Sequence, residues 1–282
     1  MRCQWDAYIK ILPHWLQDPV TRLGKDTLTE LRLRIGQPPQ LIQLSRSLWL
    51  KQPVKYSDIT FCINAASQYS PWAATTSAQG YITAPGGHRI GLCGETAINQ
   101  NCDTVFQHIT SLCIRVARDI SGLAKNVADL PGSTLIIGPP GSGKTTFLRD
   151  MVRQKSIVIP GSVAVLDERG EIYPSSQGQH YFDTGPKTDV LTGISKKQGI
   201  DMIIRCMGPQ CIAVDEITAA EDSLALLSAG WCGVEILATA HACSREDLFR
   251  RDVYKTLVEN KIFQNLIILQ PDKSWRLERM NP

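Results

Sequence analysis

Ile136-Ile137-Gly138-Pro139-Pro140-Gly141-Ser142-Gly143-Lys144-Thr145-Thr146 is the stretch that decides how the second half of this chain folds. It has the spacing Gly-x-x-x-x-Gly-Lys-Thr, follows the apolar run Thr134 to Ile137, and opens a helix at Lys144; that context defines a phosphate-binding loop. Gly138, Gly141 and Gly143 carry no Cβ, so the backbone can curl and point its N–H groups inward around a β-phosphate, while the helix N-terminus adds positive potential. Lys144 is expected on the β- and γ-phosphates and the Thr145 hydroxyl on Mg²⁺. Pro139, Pro140, Ser142 and Thr146 complete the expected cradle for ATP.

Working outward, "TLIIG", "SVAVLDE", "CIAVDE" and "VEILATAH" are short apolar runs separated by helix-length segments. Such runs belong to a mostly parallel sheet buried on both faces. "NLIILQ", the turn "PDK" and "SWRLERM" read as a hairpin that caps it. Upstream, residues 5 to 24 have helical apolar spacing broken by Pro13 and Pro19, a packing helix pair. Glu30 to Ile35 alternates charged and aliphatic residues, as an edge or half-exposed strand does, and "QLIQL" and "SLWLK" continue it as a meander. Asp58 to Ser70 reads as a helix, followed by short strands near Gly80 to Thr83, His88 to Thr96 and His108 to Val116. "SGLAKNVADLPGS" reads as a short helix and a Pro-Gly break. The expected fold is therefore α/β: a RecA-like P-loop domain over residues 133–282, a smaller α+β domain over 1–120, and a linker over 121–132.

Composition is that of an ordinary globular chain, 43% hydrophobic and 20% charged, with 30 basic and 27 acidic residues. Divided at Gly132, the first part holds 13 basic and 9 acidic residues and the second 17 and 18, an asymmetry too small to imply a polyanion partner. Nine cysteines, at 3, 62, 93, 102, 113, 206, 211, 232 and 243, never form Cys-x-x-Cys and sit among apolar neighbours, so reduced core thiols and a cytosolic location are expected. Cys206 and Cys211 lack the further ligands that a metal site needs. No run reaches the roughly 18 apolar residues of a membrane span, so any membrane role is expected to be peripheral.

Two acidic groups follow strands. Cys211 to Val214 ends in Asp215-Glu216, the Walker B arrangement: Asp215 is expected to hold Mg²⁺ and Glu216 to orient or deprotonate the attacking water. Asp167-Glu168-Arg169-Gly170-Glu171 follows "SVAVL", at the strand edge where open α/β sheets bind ligands. Thr239-Ala240-His241 ends a third strand, where a polar side chain can sense a γ-phosphate. A solvated loop remains open for the second acidic group, and a capping or core role for His241.

These features, in this order, resemble the secretion and pilus ATPases of the type II/type IV superfamily. Asp167, Glu168 and Glu171 stand where that family has its Asp box, Glu216 where it has the Walker B glutamate, and His241 where it has the His-box histidine. "ELRLRIGQPP" is similar to the opening of those ATPases' N-terminal domain. "PGGHRIGLCGE", "GPPGSGKTTFLRD", "DERGEI", "TDVLTG" and "IAVDEI" resemble, more narrowly, a stage III sporulation family of endospore-forming bacteria. The resemblance implies a ring-forming, hexameric ATPase in the mother cell, docked on an inner-membrane sporulation channel protein, with domain rotation driven by hydrolysis. Lys187 stands where that family shows Arg, and Thr218-Ala219 where it shows Gly-Arg. The candidates for a cation acting in trans or as a sensor are then Arg89, Arg115, Arg118 and Arg205. Two rival readings are a nucleic-acid-handling ATPase, against which stands the lack of basic residues interleaved with aromatics, and a nucleotide-dependent scaffold with little hydrolysis.

Overall fold

Strict alternation in Leu28–Arg34 (β1) has its expected consequence in the computed structural model: Leu31 and Leu33 are fully buried while Glu30, Arg32 and Arg34 line the other face. The structure describes residues 1–43, 46–68, 80–98, 104–176 and 178–280. It divides into two units, Met1–Asp119 and Ile120–Pro282.

In the first unit β1 joins β2 (Gln40–Gln43), β3 (Ser47–Trp49), β4 (Tyr81–Ala84), β5 (His88–Ile98) and β6 (Thr104–Arg115) in an antiparallel sheet of order β3-β2-β1-β6-β5-β4. β1 is thus an inner, half-exposed strand rather than an edge. Its aliphatic face packs with Tyr8, Leu12, Leu16 and Ile59, from or beside α1 (Trp5–Lys10), α2 (His14–Leu23) and α3 (Tyr56–Ser67). Pro13 separates α1 from α2, but Pro19 is accommodated inside α2. The expected end of α3 at Tyr69–Ser70, together with Leu44, Cys102 and Gln177, lies outside the described residues. On the polar face Glu30, Arg115 and Arg89 stand directly opposite one another across three strands, with Arg32 in the next row.

His88 anchors this unit. The Ala117 N–H donates to its Nδ1 at 3.0 Å, so Nε2 carries the hydrogen that bonds Gln4 O at 3.0 Å. Burial pushes its pKa down to about 4. A Cβ at Gly86 would stand 2.8 Å from Gln4 Cβ and 2.9 Å from His88 Nε2, and the φ of +83° there also favours glycine.

The second unit is built on a sheet of order β11-β8-β12-β13-β7-β14-β15. β7 (Thr134–Ile137), β8 (Val163–Asp167), β11 (Thr188–Thr192), β12 (Cys211–Val214), β13 (Glu235–Ala240) and β14 (Asn265–Leu269) are parallel, and β15 (Trp275–Arg279) closes the expected hairpin. Helices α4 (Lys144–Val158), α5 (Lys196–Met207), α6 (Ala220–Trp231), α7 (Arg245–Arg250) and α8 (Asp252–Glu259) complete it. β9 (Ser175–Ser176) and β10 (Gln179–His180) form a small separate hairpin. Every residue of β7, β8, β12 and β14 is buried, as two covered faces demand.

Two expectations are corrected. Residues 121–130 form turns and bends, not a helix. The Asp150 carboxylate on α4 takes the N–H groups of Gly122 (3.1 Å) and Ala124 (2.8 Å), and Arg153 holds the Ile120 carbonyl at 3.0 Å, so side chains replace helical bonds. The described cysteines are free thiols, but only Cys62 and Cys211 are buried; Cys93, Cys206, Cys232 and Cys243 are exposed. No metal-binding cluster exists among the described residues.

Candidate active site

The loop between β7 and α4 forms because Gly138 admits no side chain: a Cβ there would lie 2.5 Å from Ser142 Oγ and 2.9 Å from Leu269 O. Gly141 and Gly143 turn the chain at positive φ, +73° and +99°. Pro139 and Pro140 lead into the turn, closed by Ser142 N donating to Pro139 O at 3.2 Å, and Thr146 sits in the first turn of α4. Lys144 folds back over the loop and donates to the carbonyls of Gly138 (2.9 Å) and Pro139 (3.1 Å).

Strand order brings the remaining groups together. β13 lies between β7 and β12, so its last residues reach both the loop and Asp215. Thr145 Oγ1 donates to Asp215 Oδ2 at 2.7 Å; Thr239 Oγ1 donates to Asp215 Oδ1 at 2.5 Å and accepts the Glu216 N–H at 2.7 Å. His241 joins the two halves. An ammonium only donates, so His241 Nδ1 accepts from Lys144 Nζ at 3.1 Å, and its Nε2–H reaches Glu216 Oε1 at 2.9 Å. Glu216 itself adopts φ +47°, a left-handed conformation rare for a side-chain-bearing residue and typical of functional turns.

Electrostatics follow from burial. Desolvation lifts the Asp215 carboxyl above the usual range, against the two threonine hydrogen bonds that lower it. The same effect depresses Lys144, against the pull of Asp215 and Glu216. The Ser142 hydroxyl is buried in the loop with no protein partner. A phosphate-bearing ligand and a divalent cation fit these three observations: an orphan donor, an under-compensated ammonium and an under-compensated carboxylate.

The acidic group after β8 has a different arrangement. Asp167 is buried, 1% exposed, and accepts the N–H groups of Glu171 (2.8 Å), Ile172 (2.9 Å) and Tyr173 (2.8 Å). Arg149 of α4 holds the carbonyls of Glu171 and Ile172 from the other side and stacks on Phe182. Tyr173 Oη returns a bond to Arg149 O at 3.0 Å. The segment bearing Glu171 is therefore clamped from both sides, close enough to Asp215 for the two charges to repel. Glu168 pairs with Lys196 at 2.8 Å, a lysine 7% exposed that also faces Asp222 at 3.6 Å.

Of the arginines, Arg118 is committed to the carbonyls of Lys25 and Leu28. Arg115 pairs with Glu30 at 3.5 Å, and Arg89 lies over the Tyr81 ring. Arg205, in the last turn of α5, is exposed at the end of the sheet opposite the one that carries Asp215; it is not brought to the site of its own chain. Lys187 donates to Ile159 O, and Thr218 N and Ala219 N are held by Asp222 as α6 begins, so both departures from the family pattern have structural roles. Sequence reasoning missed Arg149, Tyr173 and Lys196. For the first two, "DERGEIY" holds a usable signal, an Asp followed by a glycine turn with φ +64° at Gly170.

The loop and the parallel sheet define a P-loop, RecA-like fold, the fold of solved secretion and pilus ATPases. The solved Legionella pneumophila ATPase DotB superposes with TM-score 0.59 at 17% identity, over 95% of this chain and 80% of that one. The pilus retraction motor PilT with bound ADP gives 0.63 at 16%, over 95% and 82%. The chain belongs to the family described as Sporulation stage III, protein AA, matched over residues 12–276. It is 34% identical to Stage III sporulation protein AA of Bacillus subtilis across 94% of this chain and 90% of that protein. Protein SEEDLING PLASTID DEVELOPMENT 1 of Arabidopsis thaliana is 26% identical over 90% of this chain but only 36% of its own length. No helix among the described residues is long and apolar enough to cross a membrane.

Proposed function

We propose that this chain is an ATP-hydrolysing motor of secretion-ATPase type, working as a ring at the cytoplasmic face of the mother cell's inner membrane to power or assemble a channel complex with the forespore. One observation carries the chemistry: His241 connects the phosphate-loop ammonium to the Glu216 carboxylate, so the group that holds the terminal phosphate and the group that would activate water respond to one side chain. ATP would be held by the loop amides, Ser142, Lys144 and Thr146, and Mg²⁺ by Thr145 and Asp215. Mg²⁺ supplies positive charge to the phosphate oxygens. Glu216 orients water and takes its proton. Thr239 and His241 keep Glu216 in place, and loss of the phosphate frees Lys144 to return to the Gly138 and Pro139 carbonyls. Asp167 acts by positioning Glu171. Membership of a sporulation family supports the channel setting.

A ring is supported by the sheet face of the first unit. Arg89 and Arg115 stand directly opposite in the β5–β6 register, where like charges repel. Glu30 pairs with Arg115 and the Tyr81 ring lies under Arg89, and the exposed Arg115 guanidinium is placed to meet a neighbouring subunit's γ-phosphate. The test is mixing. Glu216→Gln and Arg115→Ala chains, each inactive alone, should regain part of the turnover when combined, and specific activity should rise with concentration. Turnover by a monomer, judged by light scattering in the assay, would falsify the ring. The same arginine face, with Trp49 exposed at 55%, favours a nucleic-acid ligand as the second reading. Salt-sensitive stimulation of hydrolysis by single-stranded DNA would select it.

A further inference from the structure

A lysine stands where the backbone asks for glycine. The β14–β15 hairpin turns through Pro271-Asp272-Lys273, with Lys273 N donating to Gln270 O at 3.0 Å and Gln270 N to Ser274 O at 2.9 Å. Lys273 closes this turn at φ +72°, a position that glycine or asparagine fills at lower cost. Its ammonium reaches across to the carbonyl of Gly141, at the exposed tip of the phosphate loop, and its Cδ lies 4.0 Å from where a Cβ on Gly143 would stand.

Position tells what this lysine faces. Lys144 holds the Gly138 and Pro139 carbonyls at the start of the loop, and Lys273 holds the Gly141 carbonyl further along it. The sheet order sets the two flanks of the loop: β13 and β12, with Asp215, Glu216 and His241, lie on one side of β7, and β14 with its turn lies on the other. If the terminal phosphate points to Glu216, as the ATPase reading on which this inference rests requires, the nucleoside leaves the loop on the β14 side. We propose that Lys273 forms the nucleoside end of the site. One of its three donors fixes the Gly141 carbonyl, the others are offered to ribose oxygens, and the four-carbon stem gives the sugar and base an apolar floor. The left-handed conformation is kept because glycine would satisfy the turn but not the ligand.

The experiment uses the full chain and its Lys273→Gly variant, which relieves the backbone while removing the ammonium and its stem. Binding of ADP and of inorganic tripolyphosphate is measured by calorimetry, and Tm by thermal unfolding. The variant should bind ADP roughly tenfold more weakly, the order of one charge-assisted hydrogen bond, while its tripolyphosphate affinity stays within about twofold of the parent and its Tm does not fall. Equal ADP affinity in parent and variant overturns the proposal alone. Equal losses for ADP and tripolyphosphate also overturn it, because Lys273 would then serve the phosphates. A parent chain that binds neither overturns the ATPase reading as well.

Discussion

Replacing Asp167 by Asn separates a positioning acid from a catalytic one. In the parent, Oδ1 accepts one backbone N–H and Oδ2 accepts two, all between 2.8 and 2.9 Å. Asparagine keeps one acceptor oxygen. Placed at the doubly bonded position, it turns its NH₂ toward the Glu171 N–H, so two donors face each other in a buried site. The loss of one charge-assisted bond, about 1.5–3 kcal/mol, and an unpaired donor, about 1–3 kcal/mol, are offset in part because the buried charge is gone. A net destabilisation of about 2–4 kcal/mol is expected. Denaturant unfolding reads that number, and amide hydrogen exchange should show protection lost at Glu171, Ile172 and Tyr173. Turnover should fall through kcat with nucleotide KM near that of the parent, since Lys144 and its loop are untouched. Turnover abolished with stability and those three amides unchanged would refute the reasoning and move Asp167 into the chemistry.

Lys144→Ala should abolish nucleotide binding in calorimetry with little change in Tm, because the ammonium now bonds only loop carbonyls and His241. Asp215→Asn should raise the Tm of the ligand-free chain at neutral pH while removing Mg²⁺-dependent turnover. Burial raises the folded pKa of Asp215, so its stabilising share is present at low pH and is lost as pH rises through the raised value, which is the cost asparagine removes. His88 has the opposite sign. With a folded pKa of about 4 against an ordinary 6.5, its share of stability is present above the ordinary value and is lost as pH falls through the folded one. That loss is about 3 kcal/mol, so His88→Gln should flatten the unfolding curve between those pH values.

What the sequence made legible was what short-range pattern controls. The buried strands of the second unit are continuous aliphatic runs, and the phosphate loop has a spacing that few other structures need. β11 carries no such run: "TDVLT" is an edge strand, exposed or half-exposed along its length, and its pairing with β8 is set by the sheet rather than by its own residues. Residues 121–130 carry enough helix formers to suggest a helix, yet Asp150 and Arg153, some thirty residues on, compete successfully for their backbone groups. The site divides in the same way. Lys144 and Thr145 open the helix after β7, Asp215, Glu216 and His241 follow β12 and β13, and the strand order brings them within hydrogen-bonding reach. The fate of Asp167 could not be read from the chain, because an acid that receives three amides has the same letter as one that receives a metal.

The polar contacts along α4 also bear on heredity. Asp150, fully buried, Arg153 and Lys155 take hold of Ile120, Gly122, Ala124 and Leu130, so the stretch that looks like a tether is internal furniture of the phosphate-loop unit. In any recombination between related genes these residues must be inherited with the loop. A chimaera joined at 119/120 keeps every partner of Asp150. One joined at 132/133 keeps them only if the incoming stretch presents its amides in the same places, and otherwise leaves a buried carboxylate with an arginine and no backbone to hold.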